Sequence, residues 1–184
     1  SDYAQVDSMF EKIIENFWTI DILINNAGII WPFGDITDIN FNDIEKTIKT
    51  NLIWPMYCAQ SAIKIFKKQD KTGTILNTSS IHDSDRWWNP YLIGYCVSKA
   101  WLKNFTDMLA RWVGSKIRVN SVAPWPVITP IWNNDTEETK KSFFNKTLIK
   151  RWIEPEEIAA TFIFLAKNEA ITGQTIYVDW WFRG

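Results

Sequence analysis

Residues 21–28 read DILINNAG, a short apolar run followed at once by a polar turn that ends in glycine. Three consecutive apolar residues in so short a run are typical of a strand buried on both faces, as in a parallel sheet. Similar short runs recur at residues 74–78 (TILNT), 117–122 (IRVNSV) and 174–179 (QTIYVD). These stretches, with residues 21–25 as the first, are the predicted strands of the fold.

Helical patterns separate the predicted strands. Between residues 6 and 17 the apolar residues recur at the spacing of one helix face, and further helices are predicted over 41–68, 95–111, 139–149 and 155–167. Either Asn40 or Asn42 caps the helix over 41–68, and Pro55 is expected to kink it. Strands that alternate with helices form βαβ units, so we predict a single α/β domain over residues 1–184 with a parallel sheet covered on both faces.

Composition and charge exclude several classes of protein. The 184 residues are 46% hydrophobic, which is enough for one ordinary core, and the 20 Lys and Arg form no basic cluster that would attract nucleic acid. No apolar run approaches the length of a membrane span, so we expect a cytoplasmic protein without nucleic-acid or membrane partners. Cys58, Cys96 and His82 show no disulfide or metal-ligand spacing, so no metal site is predicted. His82 is interpreted as a solvated loop residue.

Tyr95 and Lys99 form the first candidate site. They stand four residues apart at the start of a predicted helix, so they share one helix face and the ammonium can approach the phenol. A nearby cation favours the phenolate and lowers the pKa of tyrosine, which would make Tyr95 a proton donor or acceptor near neutral pH. Ser80 follows the strand at 74–78, where its hydroxyl could polarise a substrate carbonyl. A surface tyrosine beside a solvated lysine, and a serine that only caps a loop, are the alternatives.

Five motifs together resemble those of a known family. In chain order they are NNAG at residues 25–28, Asn51, Ser80, YCVSK at residues 95–99 and RVNSVAP at residues 118–124. In order and spacing, nearly from end to end of the chain, they resemble the short-chain dehydrogenase/reductase family. The resemblance implies a Rossmann-like, doubly wound parallel sheet and an enzyme that uses NAD or NADP.

The resemblance also implies roles for individual residues. Tyr95 would be the general acid or base, and Lys99 would lower its pKa and hold the nicotinamide ribose. Ser80 would orient the substrate carbonyl, and Asn51 would support a water-mediated proton relay. Cofactor contacts are implied for Asn25, Asn26, Ala27, Gly28, Tyr95, Lys99, Pro124, Trp125, Val127 and Thr129. Residues 131–150 resemble the family's mobile substrate lid, and the helices at 41–68 and 95–111 its subunit contacts, so a homodimer or homotetramer is expected.

Expectations about the substrate come from the same resemblance. Residues 79–83 (SSIHD) and 129–131 (TPI) resemble the glucose 1-dehydrogenase branch. This suggests that the enzyme interconverts a secondary alcohol and a ketone or aldehyde by hydride transfer, with a sugar or polyol as its small-molecule substrate. The alternatives are a 3-oxoacyl-(acyl-carrier-protein) reductase, although no basic patch suits an acidic carrier, and a catalytically inactive, degenerate family member.

The chain departs from the family at its beginning. The family's glycine-rich phosphate loop, in which backbone N–H groups cradle the pyrophosphate, has no counterpart here. We therefore expect a chain truncated at its N-terminus, lacking the first βαβ portion of the sheet, with about 60 residues upstream of residue 1. The residue that chooses between NAD and NADP would lie in that portion.

A second departure concerns tryptophan, which occurs 12 times against only 7 glycines. Tryptophan repeatedly stands where the family has glycine, at Trp18, Trp54, Trp101, Trp125, Trp152, Trp180 and Trp181. The others are expected in turns or loops, at Trp31, Trp87, Trp88, Trp112 and Trp132. Our hypothesis is that the gene specifies glycine with UGA codons that a standard translation reads as tryptophan. A genuinely tryptophan-rich protein with aromatic binding surfaces is the alternative.

Overall fold

The computed structural model describes residues 3–84, 88–132 and 136–181. Its strands are β1 (Ile22–Asn25), β2 (Gly73–Thr78), β3 (Ile117–Pro124) and β4 (Thr175–Val178), and they form a parallel sheet in the order β1-β2-β3-β4. The register places Leu23 beside Ile75, Ile75 beside Val119, and Val122 beside Ile176. The predicted parallel sheet is confirmed.

Helices cover both faces of this sheet. They are α1 (Tyr3–Phe17), α2 (Phe41–Ile48), α3 (Trp54–Gln69), α4 (Ile93–Val113), α5 (Glu137–Asn145) and α6 (Pro155–Lys167). On one face, Phe10 of α1 and Phe66 of α3 belong to a core with Ile75, while on the other face Leu165 of α6 belongs to a core with Leu76. Consecutive residues of a strand point to opposite faces, so β2 contributes to both cores and is buried along its length.

The predicted helix over 41–68 is present but interrupted. A π-helical segment, Lys49–Ile53, separates α2 from α3. Asn40 is the N-cap of α2, because its side-chain oxygen accepts a hydrogen bond from the backbone N–H of Asn42 at 3.0 Å. Pro55 lies in the first turn of α3, directly after this segment, so the helix is interrupted next to the proline that was expected to kink it.

Two predicted helices differ at their ends. Helix α5 ends at Asn145 rather than at residue 149, and α4 is longer than predicted and reaches Val113. Trp112, expected in a turn, therefore lies in the last turn of α4. Trp87 and residues 133–135 of the expected lid lie outside the described residues. Within the described ranges, no helix is both long enough and apolar enough to cross a bilayer.

Two residues of the RVNSVAP motif fasten α6 and β4 to the sheet. The Arg118 guanidinium donates to the carbonyls of Leu165 and Ala166 at the C-terminal end of α6, at 2.8 Å each. The Asn120 amide donates to the Ile171 carbonyl at 2.9 Å. A cation among the unpaired carbonyls of a helix C-terminus is also favourable electrostatically. These two residues of the motif therefore position the edge of the fold rather than the cavity described below.

Candidate active site

A cavity of about 750 Å³ opens at the carboxyl ends of the strands. Its walls come from β1 and the loop after it, the end of β2 and the turn behind it, one face of α4, the loop after β3, and α6. Nine of the twelve predicted site residues line it: Asn26, Gly28, Ser80, Tyr95, Lys99, Pro124, Trp125, Val127 and Thr129. This is the edge at which open parallel sheets bind their ligands, because the loops that follow the strands meet there.

Three polar side chains converge in the cavity. Tyr95 and Lys99 lie on one face of α4, as predicted, and the Lys99 ammonium lies 5.7 Å from the centre of the Tyr95 ring. Ser80 comes from the turn after β2, and its side chain hydrogen-bonds that of Tyr95. Lys99 is only 4% exposed and donates to the carbonyl of Thr78 at 2.7 Å. The last residue of β2 therefore holds the ammonium in place.

Burial sets the protonation of both groups on α4. Loss of hydration raises the pKa of Tyr95 to about 12, and the hydrogen bond with Ser80 only partly opposes this. Burial likewise lowers the pKa of Lys99 to about 8, against the opposing charge of Asp83. The expectation that Lys99 brings the pKa of Tyr95 below its ordinary value is therefore wrong for this structure, because desolvation of the phenol outweighs any effect of the ammonium. At neutral pH the tyrosine is protonated and the lysine is cationic.

Asn51 is near this group but is not in the cavity wall. Its fully buried amide accepts from the backbone N–H of Ile29 and donates to the carbonyl of Ile29, both at 2.9 Å, and it also donates to the Ser98 hydroxyl at 3.1 Å. These bonds hold the loop after β1 against α4. A Cβ on Gly28 would lie 3.3 Å from the Asn51 side-chain oxygen and 3.5 Å from the Lys99 nitrogen, so the loop passes close to both.

The NNAG motif divides between the cavity and the interior. Asn26 lines the cavity, and its side-chain oxygen accepts from the Thr78 hydroxyl at 2.9 Å. Asn25 instead donates to the side chain of Asn77 at 2.9 Å, which ties β1 to β2 beneath the cavity. Asn25 and Ala27 line a separate hollow beside α1. The structure therefore does not bring Asn25, Ala27 or Asn51 to the cavity, because their loop and helix carry them behind it.

Trp125 lines the cavity and packs against the turn that carries Ser80. It is 8% exposed, and its ring centre lies 5.4 Å from that of His82, 5.0 Å from that of Trp132 and 5.2 Å from that of Phe143. The Trp132 indole N–H donates to the Val127 carbonyl at 2.8 Å. The loop after β3 therefore enters the site with two indole rings.

Asp83 and Tyr177 belong to this region but were not predicted from the sequence. Asp83 is 4% exposed and accepts from the hydroxyls of Ser79 and Tyr177, both at 2.6 Å, and burial raises the pKa of its carboxyl. These bonds tie the turn that carries Ser80 to β4. His82, interpreted as solvated, is in fact buried, with its ring centre 5.7 Å from that of Tyr95. No spacing pairs residues 83 and 177, so only the folded sheet reveals the contact.

This chain is similar to several proteins that are named as oxidoreductases. A family model described as enoyl-(acyl carrier protein) reductase matches residues 1–180. The 3alpha-hydroxysteroid dehydrogenase of Mediterraneibacter gnavus is 36% identical over 181 residues, which cover 97% of this chain and 71% of that protein. Glucose 1-dehydrogenase 2 of Bacillus subtilis is 30% identical over 179 residues, which cover 95% of this chain and 68% of that protein.

Two further matches extend the comparison. The 3-oxoacyl-(acyl-carrier-protein) reductase FabG of Thermotoga maritima is 31% identical over 182 residues, which cover 97% of this chain and 72% of that protein. Among solved structures, a short-chain type dehydrogenase/reductase from Mycobacterium marinum superposes with a TM-score of 0.88 at 26% identity, covering 97% of this chain and 71% of that one.

Proposed function

The chain belongs to the short-chain dehydrogenase/reductase family of oxidoreductases, and we propose that residues 1–184 act as one domain that interconverts an alcohol and the corresponding ketone or aldehyde with NAD or NADP. One observation carries this proposal. The Tyr95 hydroxyl, the Ser80 side chain and the buried Lys99 ammonium share a single cavity at the carboxyl edge of the sheet. Hydride transfer to a carbonyl needs a proton donor at the carbonyl oxygen, and this cavity contains one.

The cavity wall suits the nicotinamide end of such a cofactor. Gly28 offers backbone with no side chain beside the Lys99 ammonium, which leaves room for a ribose to approach both. Lys99 and Tyr95 would hold the ribose hydroxyls, Asn26 and Gly28 would flank them, and Pro124, Trp125, Val127 and Thr129 would face the nicotinamide carboxamide. When bound, NAD or NADP supplies the hydride for reduction or takes it up in oxidation.

Proton transfer is the task of Tyr95. In the direction of reduction, the substrate oxygen accepts hydrogen bonds from the Tyr95 and Ser80 hydroxyls, and Tyr95 gives its proton to that oxygen as the alkoxide forms. A pKa near 12 keeps Tyr95 protonated at neutral pH, which matches this acid role. In oxidation Tyr95 takes the proton back. Lys99, cationic at pH 7, stabilises the phenolate that exists after the proton has left.

Asn51 acts on this chemistry through the loop after β1. Its amide is committed to Ile29 and Ser98, so in our proposal it positions Gly28 and orders the path by which water reaches Lys99. A proton relay through water near Asn51 would therefore depend on the position of the Ile29 backbone, to which the Asn51 side chain is hydrogen-bonded. Substitution of Asn51 should therefore disturb cofactor affinity as well as turnover.

The test is an NAD(P)-linked assay with Tyr95→Phe and a matched control. Tyr95→Phe removes one hydroxyl, and kcat should fall about 10²–10⁴-fold while KM changes little. Tyr91→Phe makes the same change on a ring that is 52% exposed and outside the cavity, and it should leave kcat unchanged. Equal activity of the Tyr95 variant and the parent would refute the assignment of the proton donor.

The substrate class follows from the glucose dehydrogenase relative and from charge. A net charge of −1 without a basic patch gives an acidic carrier protein nothing to dock on, so we propose a free sugar or polyol as substrate. Matched assays with polyols and with a 3-oxoacyl thioester, free and on its carrier, separate this from the acyl-carrier reductase activity named for the Thermotoga relative. Preference for the carrier-bound thioester would replace the sugar proposal.

The exposed face of α4 supports a homo-oligomer. Ile93, Val97 and Met108 are each more than a third exposed and lie on one face of this helix. Contiguous apolar surface of this kind is typical of an interface between subunits. We therefore propose a homodimer or homotetramer that uses α4 and the helices over 41–68. Light scattering checks the mass, and Met108→Glu should shift it toward the monomer.

A further inference from the structure

Three tryptophans stand on left-handed backbone. Trp18 has φ 61°, Trp180 has φ 51° and Trp181 has φ 55°, close to the values of 73° at Gly114 and 72° at Gly173. In this region the Cβ of an L-residue crowds the following carbonyl oxygen, which only glycine avoids. In the described part of the chain, the one other non-glycine residue with positive φ is Asp70, a type that tolerates the conformation.

The backbone around Trp18 forms a helix end. Its N–H donates to the Ile14 carbonyl at 2.8 Å, and its carbonyl accepts from the Gln69 amide at 3.2 Å. A left-handed residue directly after the last helical residue is the place where helices most often have glycine. The indole itself is 84% exposed. The fold therefore uses the backbone of residue 18 and leaves its side chain in water.

Exposure sets these tryptophans apart from ordinary ones. Tryptophan is highly buried on average, yet six of the eleven within the described residues are more than half exposed: Trp18, Trp31, Trp88, Trp101, Trp112 and Trp181. The chain also has only 7 glycines in 184 residues, about half of the usual share. A protein that is rich in tryptophan for ligand binding would not be expected to have tryptophan on left-handed backbone, because the conformation is unfavourable for a residue with a Cβ.

We infer that the protein made in its native cell carries glycine at residues 18, 180 and 181, and at each other tryptophan position whose codon is UGA, because its gene specifies glycine with that codon. The inference of glycine at residues 18, 180 and 181 rests on their left-handed backbone and does not depend on any enzymatic activity. Glycine follows at any other tryptophan position with the same codon, because one codon has one reading in one cell.

Glycine at these positions changes the active-site cavity. With glycine at residues 125 and 132, the two indoles that pack on each other and on Phe143 are absent from the loop after β3. The cavity beside His82 and Ser80 then extends along that loop, on the side where the nicotinamide carboxamide is proposed to bind. The native protein therefore has a larger ligand site than a chain with tryptophan at residue 125.

The test is peptide mass spectrometry on protein purified from its native source. Three tryptic peptides carry the decisive positions: residues 13–46 contain Trp18, residues 168–183 contain Trp180 and Trp181, and residues 119–140 contain Trp125 and Trp132. Residues 104–111 contain no tryptophan and form the control, whose mass must match the printed sequence. Activity plays no part in this readout, so its failure is distinguishable from failure of the proposed function.

Two results are informative. Masses that correspond to glycine at residues 18, 180 and 181 and also at residues 125 and 132, together with TGA at those codons in the gene, are expected. Tryptophan at any of the three left-handed positions would overturn the inference, as would TGG codons there. Glycine at the left-handed positions with tryptophan at residue 125 or 132 from a TGA codon would overturn the single-codon explanation.

Discussion

Replacing Trp18 by glycine and by alanine tests whether the left-handed backbone at this position has the energetic cost that its φ of 61° implies. Both substitutions remove the same indole, so the effect of removing the ring cancels when the two variants are compared. Alanine keeps a Cβ and with it a conformational penalty of about 1–2 kcal/mol. Glycine avoids that penalty but loses more backbone entropy on folding, which costs about 0.5–1 kcal/mol. The net expectation is that the glycine variant is about 0.5–1 kcal/mol more stable than the alanine variant.

Trp101 provides the matched control. It is 63% exposed, like Trp18 mostly in solvent, but it lies in the middle of α4. At a helical position glycine is about 1 kcal/mol less favourable than alanine, so the order of the same two variants should reverse. The free energy of unfolding should therefore favour glycine at residue 18 and alanine at residue 101.

Urea denaturation followed by circular dichroism measures both pairs without relying on tryptophan fluorescence, which these substitutions change. With a denaturant slope of about 1–3 kcal/mol per molar, the expected differences move the midpoint by roughly 0.2–1 M. If alanine proves equal to or more stable than glycine at residue 18, the reasoning from backbone conformation is refuted. The same result at residue 101 leaves it intact, since that order is expected there.

Three further predictions concern polar side chains that hold parts of the fold together or lie in the cavity. Asp83→Ala removes the carboxylate that accepts hydrogen bonds from the Ser79 and Tyr177 hydroxyls. The free energy of unfolding should fall by about 1–3 kcal/mol, and kcat should also fall. An unchanged kcat would show that the turn carrying Ser80 does not depend on these hydrogen bonds. Arg118→Met leaves the carbonyls at the end of α6 without their hydrogen-bond donor. The free energy of unfolding, measured in the same urea assay, should fall by about 2 kcal/mol or more. An unchanged free energy would contradict the role of Arg118 in holding that helix. Lys99 has a pKa of about 8 in the folded chain, against an ordinary value of 10.5. Between these values the unfolded chain binds more protons than the folded chain, so the free energy of unfolding rises with pH, by about 3 kcal/mol at most. The rise should end near pH 10, where ionisation of Tyr95 in the unfolded chain begins to oppose it. Urea unfolding at pH 7, 8.5 and 10 should show this rise in the parent and a flatter profile in Lys99→Met; equal slopes would show that the lysine is not desolvated.

The order of helices and strands was predictable from the sequence, because hydrophobic periodicity is a local property. The apolar run of β1 and the helical spacing of α1 each need only their own residues to be read. The interruption at Lys49–Ile53 was not predictable, since a π-helical segment depends on what Asn51 contacts across the fold. The same holds for Pro55, whose position in the first turn of α3 became clear only once that segment was known.

The pairing of Tyr95 with Lys99 was also determined by the sequence alone, because four residues on a helix always bring two side chains to one face. Their ionisation was decided by the tertiary structure. Desolvation depends on every element packed around the pair, and it raises the pKa of Tyr95, which a neighbouring cation alone would have lowered. The contact between Asp83 and Tyr177 joins residues 94 positions apart and exists only because β4 closes the sheet beside β3.

The tryptophan positions show the same division. Their number, and their excess over glycine, is a property of the sequence by itself. Which of them stand on left-handed backbone was decided by the way that α1 and β4 end in the folded chain, since φ is set by the hydrogen bonds and packing around each residue. The composition therefore indicated an unusual excess of tryptophan over glycine. Only the tertiary structure identified Trp18, Trp180 and Trp181 as the positions where a side chain is least compatible with the backbone.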